Sequence, residues 1–284
     1  MSVQCEGYRK TRLFNNQEGL QSLAIFVGML RSELKAFLDE KADQYNNPEF
    51  IENDPIQVPH QFEVKEDIEI AGFLTATIAW GNRNTIIKNA QRMMELMELS
   101  PYDFVLNHSE RDLVRMNQFV HRTFNHTDLM FFITSLKHIY THHGGMEQVF
   151  QSGISQDSVL PAITHFKHLF FSIAHESRTT KHVSDPAKGS AAKRLNMMLR
   201  WFCRTDNKGV DFGIWKSISP SILSCPLDVH TGNVARQLKL IKRKQNDVNA
   251  LHELDKQLRL FDSKDPVKYD FALFGIGVNK ELIA

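Results

Sequence analysis

Two stretches decide how this chain reads: CPLDVHTGNVARQLKL, residues 225–240, and GSAAKRLNMML, residues 189–199. In the first, Asp228 stands immediately before apolar residues spaced as on one helix face, Val229, Val234, Leu238 and Ile241. In the second, Lys193 opens a helix whose buried face is expected to be Leu195, Met198, Leu199 and Phe202, with Lys193, Asn196 and Arg200 on the opposite side. The charge around them is lopsided. Residues 188–244 hold twelve Lys and Arg against three Asp and Glu, a net of +9, whereas the rest of the chain holds 22 against 30, a net of −8. A nearly neutral protein that gathers positive charge in one segment, around an aspartate and a lysine, carries the footprint of a polyanion-binding site.

Working outward, the apolar spacing is helical nearly throughout. Leu23, Phe26, Val27, Leu30, Leu34, Phe37 and Leu38 recur at helical intervals. Residues 46–60, rich in Asn, Asp and Pro, read as a loop. Residues 67–80 read as a buried helix stopped at Gly81-Asn82, and residues 84–99 as an amphipathic one. Ser100-Pro101 reads as a cap and first-turn proline. Further helices are predicted over 110–119, 127–142, 146–150, 158–174, 190–203, 229–241, 247–260 and 266–274. No alternating strands and no internal repeat are visible. The expected fold is all-α, many short helices around two cores.

At 284 residues, with 42% hydrophobic and 24% charged content, the chain is of ordinary globular composition. The apolar run 23–30 is too short to span a bilayer, and no signal-peptide pattern opens the sequence, so a cytoplasmic protein without membrane association is expected. Cys5, Cys203 and Cys225 lie far apart and form no CxxC pair; free thiols, no metal and no cofactor are expected. His142-His143 beside Gly144-Gly145 reads as a helix end rather than a metal site.

Asp228 reads first as an N-cap, its carboxylate accepting free helix amides. The same geometry holds a carboxylate ionised with lone pairs aimed outward, able to stabilise developing positive charge or move a proton. Lys193, crowded by cations, is suited to act as an amine nucleophile. Arg194, Arg200 and Arg204 read as solvated or phosphate-facing. Lys239, Lys242, Arg243 and Lys244 read as the basic end of the 229–241 helix, complementing its dipole or meeting phosphate.

With these residues in view, the chain resembles the helix-hairpin-helix DNA glycosylase superfamily. GSAAKRLNMML looks like its hairpin-plus-helix segment, with Gly189, Lys193 and Asn196 at matching positions. PLDVHTGNVARQLKL is similar to its motif of Asp, His and helical Arg, here Asp228, His230 and Arg236. GFLTATIAWGNRNTIIKNA, residues 72–90, resembles its opening helix pair, and DPVKYDFALFGIGV, residues 265–278, its closing helix. The blocks occur in the superfamily's order, and within it the chain looks closest to a little-characterised bacterial family of unknown function. It departs in the hairpin, which offers one glycine where two are usual. The insert 204–225 is long, as in the archaeal 8-oxoguanine glycosylase branch.

The resemblance implies a two-lobed helical fold with a degenerate helix-hairpin-helix. Residues 1–30 would be an N-terminal extension, 67–204 one lobe, and 31–66 plus 205–284 the second. It implies a monomeric base-excision enzyme, a DNA N-glycosylase with abasic-site lyase activity, with Lys193 and Asp228 catalytic and DNA or RNA as partner. Gly189, Ser190, Arg194, Asn196, Arg200, His230, Arg236, Lys239, Asn82 and Arg83 would contact nucleic acid. Trp80 and Trp215 would line the base pocket or fill the vacated stack. The alternative is a non-catalytic nucleic-acid-binding module on the same scaffold.

Overall fold

The structure, a computed structural model, describes residues 30–155 and 157–282. The expected extension 1–30, except Leu30, lies outside the described residues. The fold is all-α but for one small hairpin. In chain order the helices are α1 (Arg31–Tyr45), α2 (Glu49–Glu52), α3 (Lys65–Thr77), α4 (Arg83–Leu96), α5 (Pro101–Asn107) and α6 (Glu110–Val114). After the hairpin strands β1 (Val120–His121) and β2 (Phe124–Asn125) come α7 (His126–His142), α8 (Met146–Ser152) and α9 (Leu160–Phe170). The chain ends with α10 (Lys193–Cys203), α11 (Val229–Gln237), α12 (Val248–Phe261) and α13 (Tyr269–Asn279). None of the described helices is long and apolar enough to cross a membrane.

Helix α3 is buried from Ile68 through Thr77. It packs against α10, α4 and α5. Around Phe73 the rings of Phe132, Phe166 and Phe170 lie 5.3–5.6 Å away, each worth roughly 2–3 kcal/mol of burial. Helix α13 is the second organiser, packed between α1 and α11. A Cβ at its Gly277 would sit 2.9 Å from the Cβ of His230, so glycine is what lets the start of α11 press onto α13. Where two cores were expected, the buried side chains of these groupings join into one contiguous cluster.

Several helices end earlier than the apolar spacing suggests. Helix α4 stops at Leu96, because Glu98 and Leu99 take left-handed backbone. Helix α6 stops at Val114, and residues expected to continue it instead lead into the hairpin. Helix α11 stops at Gln237, with Lys239 left-handed at φ +57°. Lys239, Lys242, Arg243 and Lys244 therefore follow the helix rather than complete it. Val229, assigned to the apolar face, is 67% exposed. At the first helical turn it points away from the face that Val234 and Ala235 bury.

Candidate functional site

The N-termini of α10 and α11 and the turn between α3 and α4 converge on a cleft of about 570 Å³. That is ample for a nucleobase and its sugar. Lys193 and Asp228, distant in sequence, both line it. Lys193 is the first residue of α10 and half-buried. Among the described residues it has neither a hydrogen bond nor an ion pair. Ala192 before it is held in left-handed backbone, φ +45°, and no side chain caps the helix. A non-glycine residue in that region is strained, and the amides of the first turn are left without a side-chain acceptor.

Asp228 is the N-cap of α11. Its Oδ1 accepts from the Thr231 amide at 2.8 Å. Its backbone carbonyl accepts from the Asn246 side chain at 2.7 Å. The capping reading therefore stands, and the half-buried carboxylate also faces the cleft.

Two further carboxyls line the cleft, and neither was singled out from sequence. Asp54 is 8% exposed and Asp270 5%. Burial pushes the Asp270 carboxyl up to about 6, with Arg200 opposing the rise and the nearby charge of Asp228 reinforcing it. Burial also raises Asp54, against the Ile56 amide and the charges of Arg200, Arg83 and Lys193. Asp54 hides in sequence as an ordinary cap before Pro55. Asp270 did leave a signal, as the one charged side chain within the apolar stretch YDFALFGIGV.

The cations lining the cleft are Arg83, Lys193, Arg194 and Arg200, against Asp54, Asp228 and Asp270. The lining is therefore close to charge balance. Much of the sequence's excess positive charge is neutralised elsewhere. Arg200, expected on the outer face, is 3% exposed; its Nε donates to Asp211 at 3.2 Å and its Nη1 to Asp270. Arg204 is likewise buried and pairs with Asp211 at 3.1 Å and Asp265 at 2.9 Å. Lys208 meets Asp43, and Arg243 meets Asp247.

The other sequence-selected residues divide. Ser190, Arg194, His230, Arg83 and Trp80 line the cleft. Arg194 is pinned rather than free. It donates to the carbonyls of Thr77 and His182, and its guanidinium lies 4.8 Å from the Trp80 ring centroid. Arg83 lies over Phe274. Asn196 is a correction: it is fully buried and donates to the Ala191 carbonyl at 2.9 Å, securing the turn before α10. Arg236 is another, bracing the Arg243 carbonyl and the Asn246 side chain. Asn82 is exposed and caps α4 through the Thr85 amide. Trp215 lies in the core, its Nε1 donating to Glu69 at 2.6 Å. Gly189 takes φ +89° with open space around it, and its carbonyl accepts from the Val248 amide. Lys239 is exposed beyond the end of α11.

A family model described as a protein of unknown function, DUF2400, matches residues 54–279. No curated protein and no solved structure matches the chain.

Proposed function

We propose that this chain, which belongs to the DUF2400 family, is a DNA glycosylase-like base-excision enzyme with abasic-site lyase activity. In this reading its helices form the two-lobed glycosylase arrangement, and the turn from Asp185 through Ala192 is a degenerate helix-hairpin-helix. The observation that carries the reading is the meeting of Lys193 and Asp228 in one cleft with an aromatic wall.

A base within a duplex is out of reach, so the target nucleotide is extruded into the cleft, whose wall includes Phe50, Trp80 and Phe274. Lys193, which has no hydrogen bond or ion pair among the described residues, attacks the anomeric carbon. The bond to the base breaks, and its electron pair leaves with the base, which takes a proton. Positive charge developing on the sugar is stabilised by Asp228, held in place by the Thr231 amide. Loss of the amine proton and opening of the sugar ring give a Schiff base, from which elimination of the neighbouring phosphate cleaves the strand. The uncapped first turn of α10 and the Arg83 guanidinium suit the flanking phosphates.

The test is base release from a panel of DNA duplexes, each carrying one oxidised, deaminated or alkylated base. Release by the unchanged chain, lost in Asp228→Asn, is expected. Salt-dependent binding without release from any duplex would assign the chain to a non-catalytic nucleic-acid-binding role on the same scaffold. Neither binding nor release would overturn both.

A further inference from the structure

Beside the cleft, two unusual backbone conformations meet at one guanidinium. Arg122 stands at the first turn position of the β1–β2 hairpin, between His121 and Thr123, with φ +55°. Two-residue hairpins that need a positive φ at this position favour glycine there. Arginine in its place is a local strain that the surroundings must over-determine. They do: Arg178 donates to the Thr123 carbonyl at 2.9 Å and pairs with the fully buried Asp128 at 2.9 Å. On the other side His121 meets the carbonyl of Trp80 at 3.3 Å and Asn89 at 2.9 Å. The hairpin is thereby fixed to the α3–α4 turn.

That turn contributes the second conformation. Gly81 takes φ +107°, and a Cβ there would sit 2.7 Å from Nη1 of Arg122. The backbone favours glycine there, and the guanidinium lies in the space a side chain would take. Arg122 is exposed and has no hydrogen bond or ion pair among the described residues. Gly81 beside it, with its own neighbours Trp80 and Arg83, lines the cleft.

We propose that Arg122 is a phosphate-binding residue. It takes a backbone phosphodiester of the nucleic acid strand beside the Gly81 turn, at the rim of the cleft. This rests on the proposed nucleic-acid function and extends it to a hairpin that no sequence block of the resemblance includes. Guanidinium is the suited cation, since its planar fork matches two phosphate oxygens at once. The pinned turn fixes where the arginine leaves the backbone.

The experiment measures binding of the full chain to a short DNA duplex carrying one tetrahydrofuran abasic analogue across a salt series. Arg122→Gln is expected to bind more weakly and to lose about 0.9 from the slope of log affinity against log salt, one phosphate's share. Arg122→Lys should keep the slope, because the charge remains. A wild-type slope in Arg122→Gln, with binding by the unchanged chain intact, overturns this inference alone. No binding by the unchanged chain overturns the nucleic-acid reading with it.

Discussion

Helix α10 carries two kinds of positive charge, and they meet opposite fates. At its N-terminus Lys193 lies half-buried on the cleft with no hydrogen bond or ion pair among the described residues. Two and three turns on, Arg200 and Arg204 are sealed in a network with Asp211, Asp265 and Asp270. The difference teaches that a count of basic residues does not measure a binding surface. A buried arginine supplied with carboxylates from other parts of the chain is a piece of the fold. A lysine without an ion pair, on the same cleft as a carboxylate held by a helix amide, is the opposite case, the one on which the proposed chemistry rests.

The largest expected effect breaks the contrast at its buried end. Arg200→Leu strands Asp270 without its cation and leaves Asp211 to Arg204 alone. Loss of one partner from a buried pair costs about 3–5 kcal/mol. Urea denaturation should show that loss, whereas Lys193→Gln should stay within about 0.5 kcal/mol of the wild type. Equal stability losses in the two variants would erase the distinction drawn here.

The next prediction sharpens the other end. Asparagine caps a helix about as well as aspartate does, so Asp228→Asn should keep the stability of α11. It should nevertheless lower base release by about 10²–10⁴-fold, the range for a positioned proton-transfer group. A variant that loses stability and activity together would reduce Asp228 to a cap.

A pH effect follows from the buried carboxyls. Burial raises Asp255, like Asp270, to about 6 from an ordinary 3.8. Between those values the folded chain holds protons that the unfolded chain has released, so these groups add stability as pH falls through that window. Going from about pH 7 to about pH 4.5, the wild type should gain in thermal midpoint relative to Asp255→Asn, which lacks the titration. The reverse order would contradict the burial argument.

The smallest expected effect concerns the turn beside the cleft. Asn82→Ala should cost about 1 kcal/mol through the lost cap on α4 and leave the salt dependence of DNA binding unchanged. A changed slope would restore Asn82 as a phosphate contact.

Much of the architecture was legible. Lys193 and Asp228 stand out because helix starts leave local signals, a capping carboxylate and an apolar face that begins just after it. The buried face Leu195, Met198, Leu199 and Phe202 is found as expected. What was not legible depends on long-range partners. Arg200 and Arg236 look like surface cations until Asp270, Asp211 and Asn246 are brought to them by other elements. Asn196 shares a helical face with Lys193 on paper, but its amide turns back to Ala191. The hairpin was hidden because its strands are two residues each, too short to show alternation. Asp54 entered the cleft through a Pro-rich turn whose sequence signals only a loop.

The most direct measurement is borohydride trapping on DNA carrying a single abasic site or a base that the chain releases, followed by mass-spectrometric mapping of the adduct. The account predicts a covalent adduct on the peptide containing Lys193, absent in Lys193→Gln and diminished in Asp228→Asn. An adduct mapped to another lysine, or an undiminished adduct in Lys193→Gln, would contradict it.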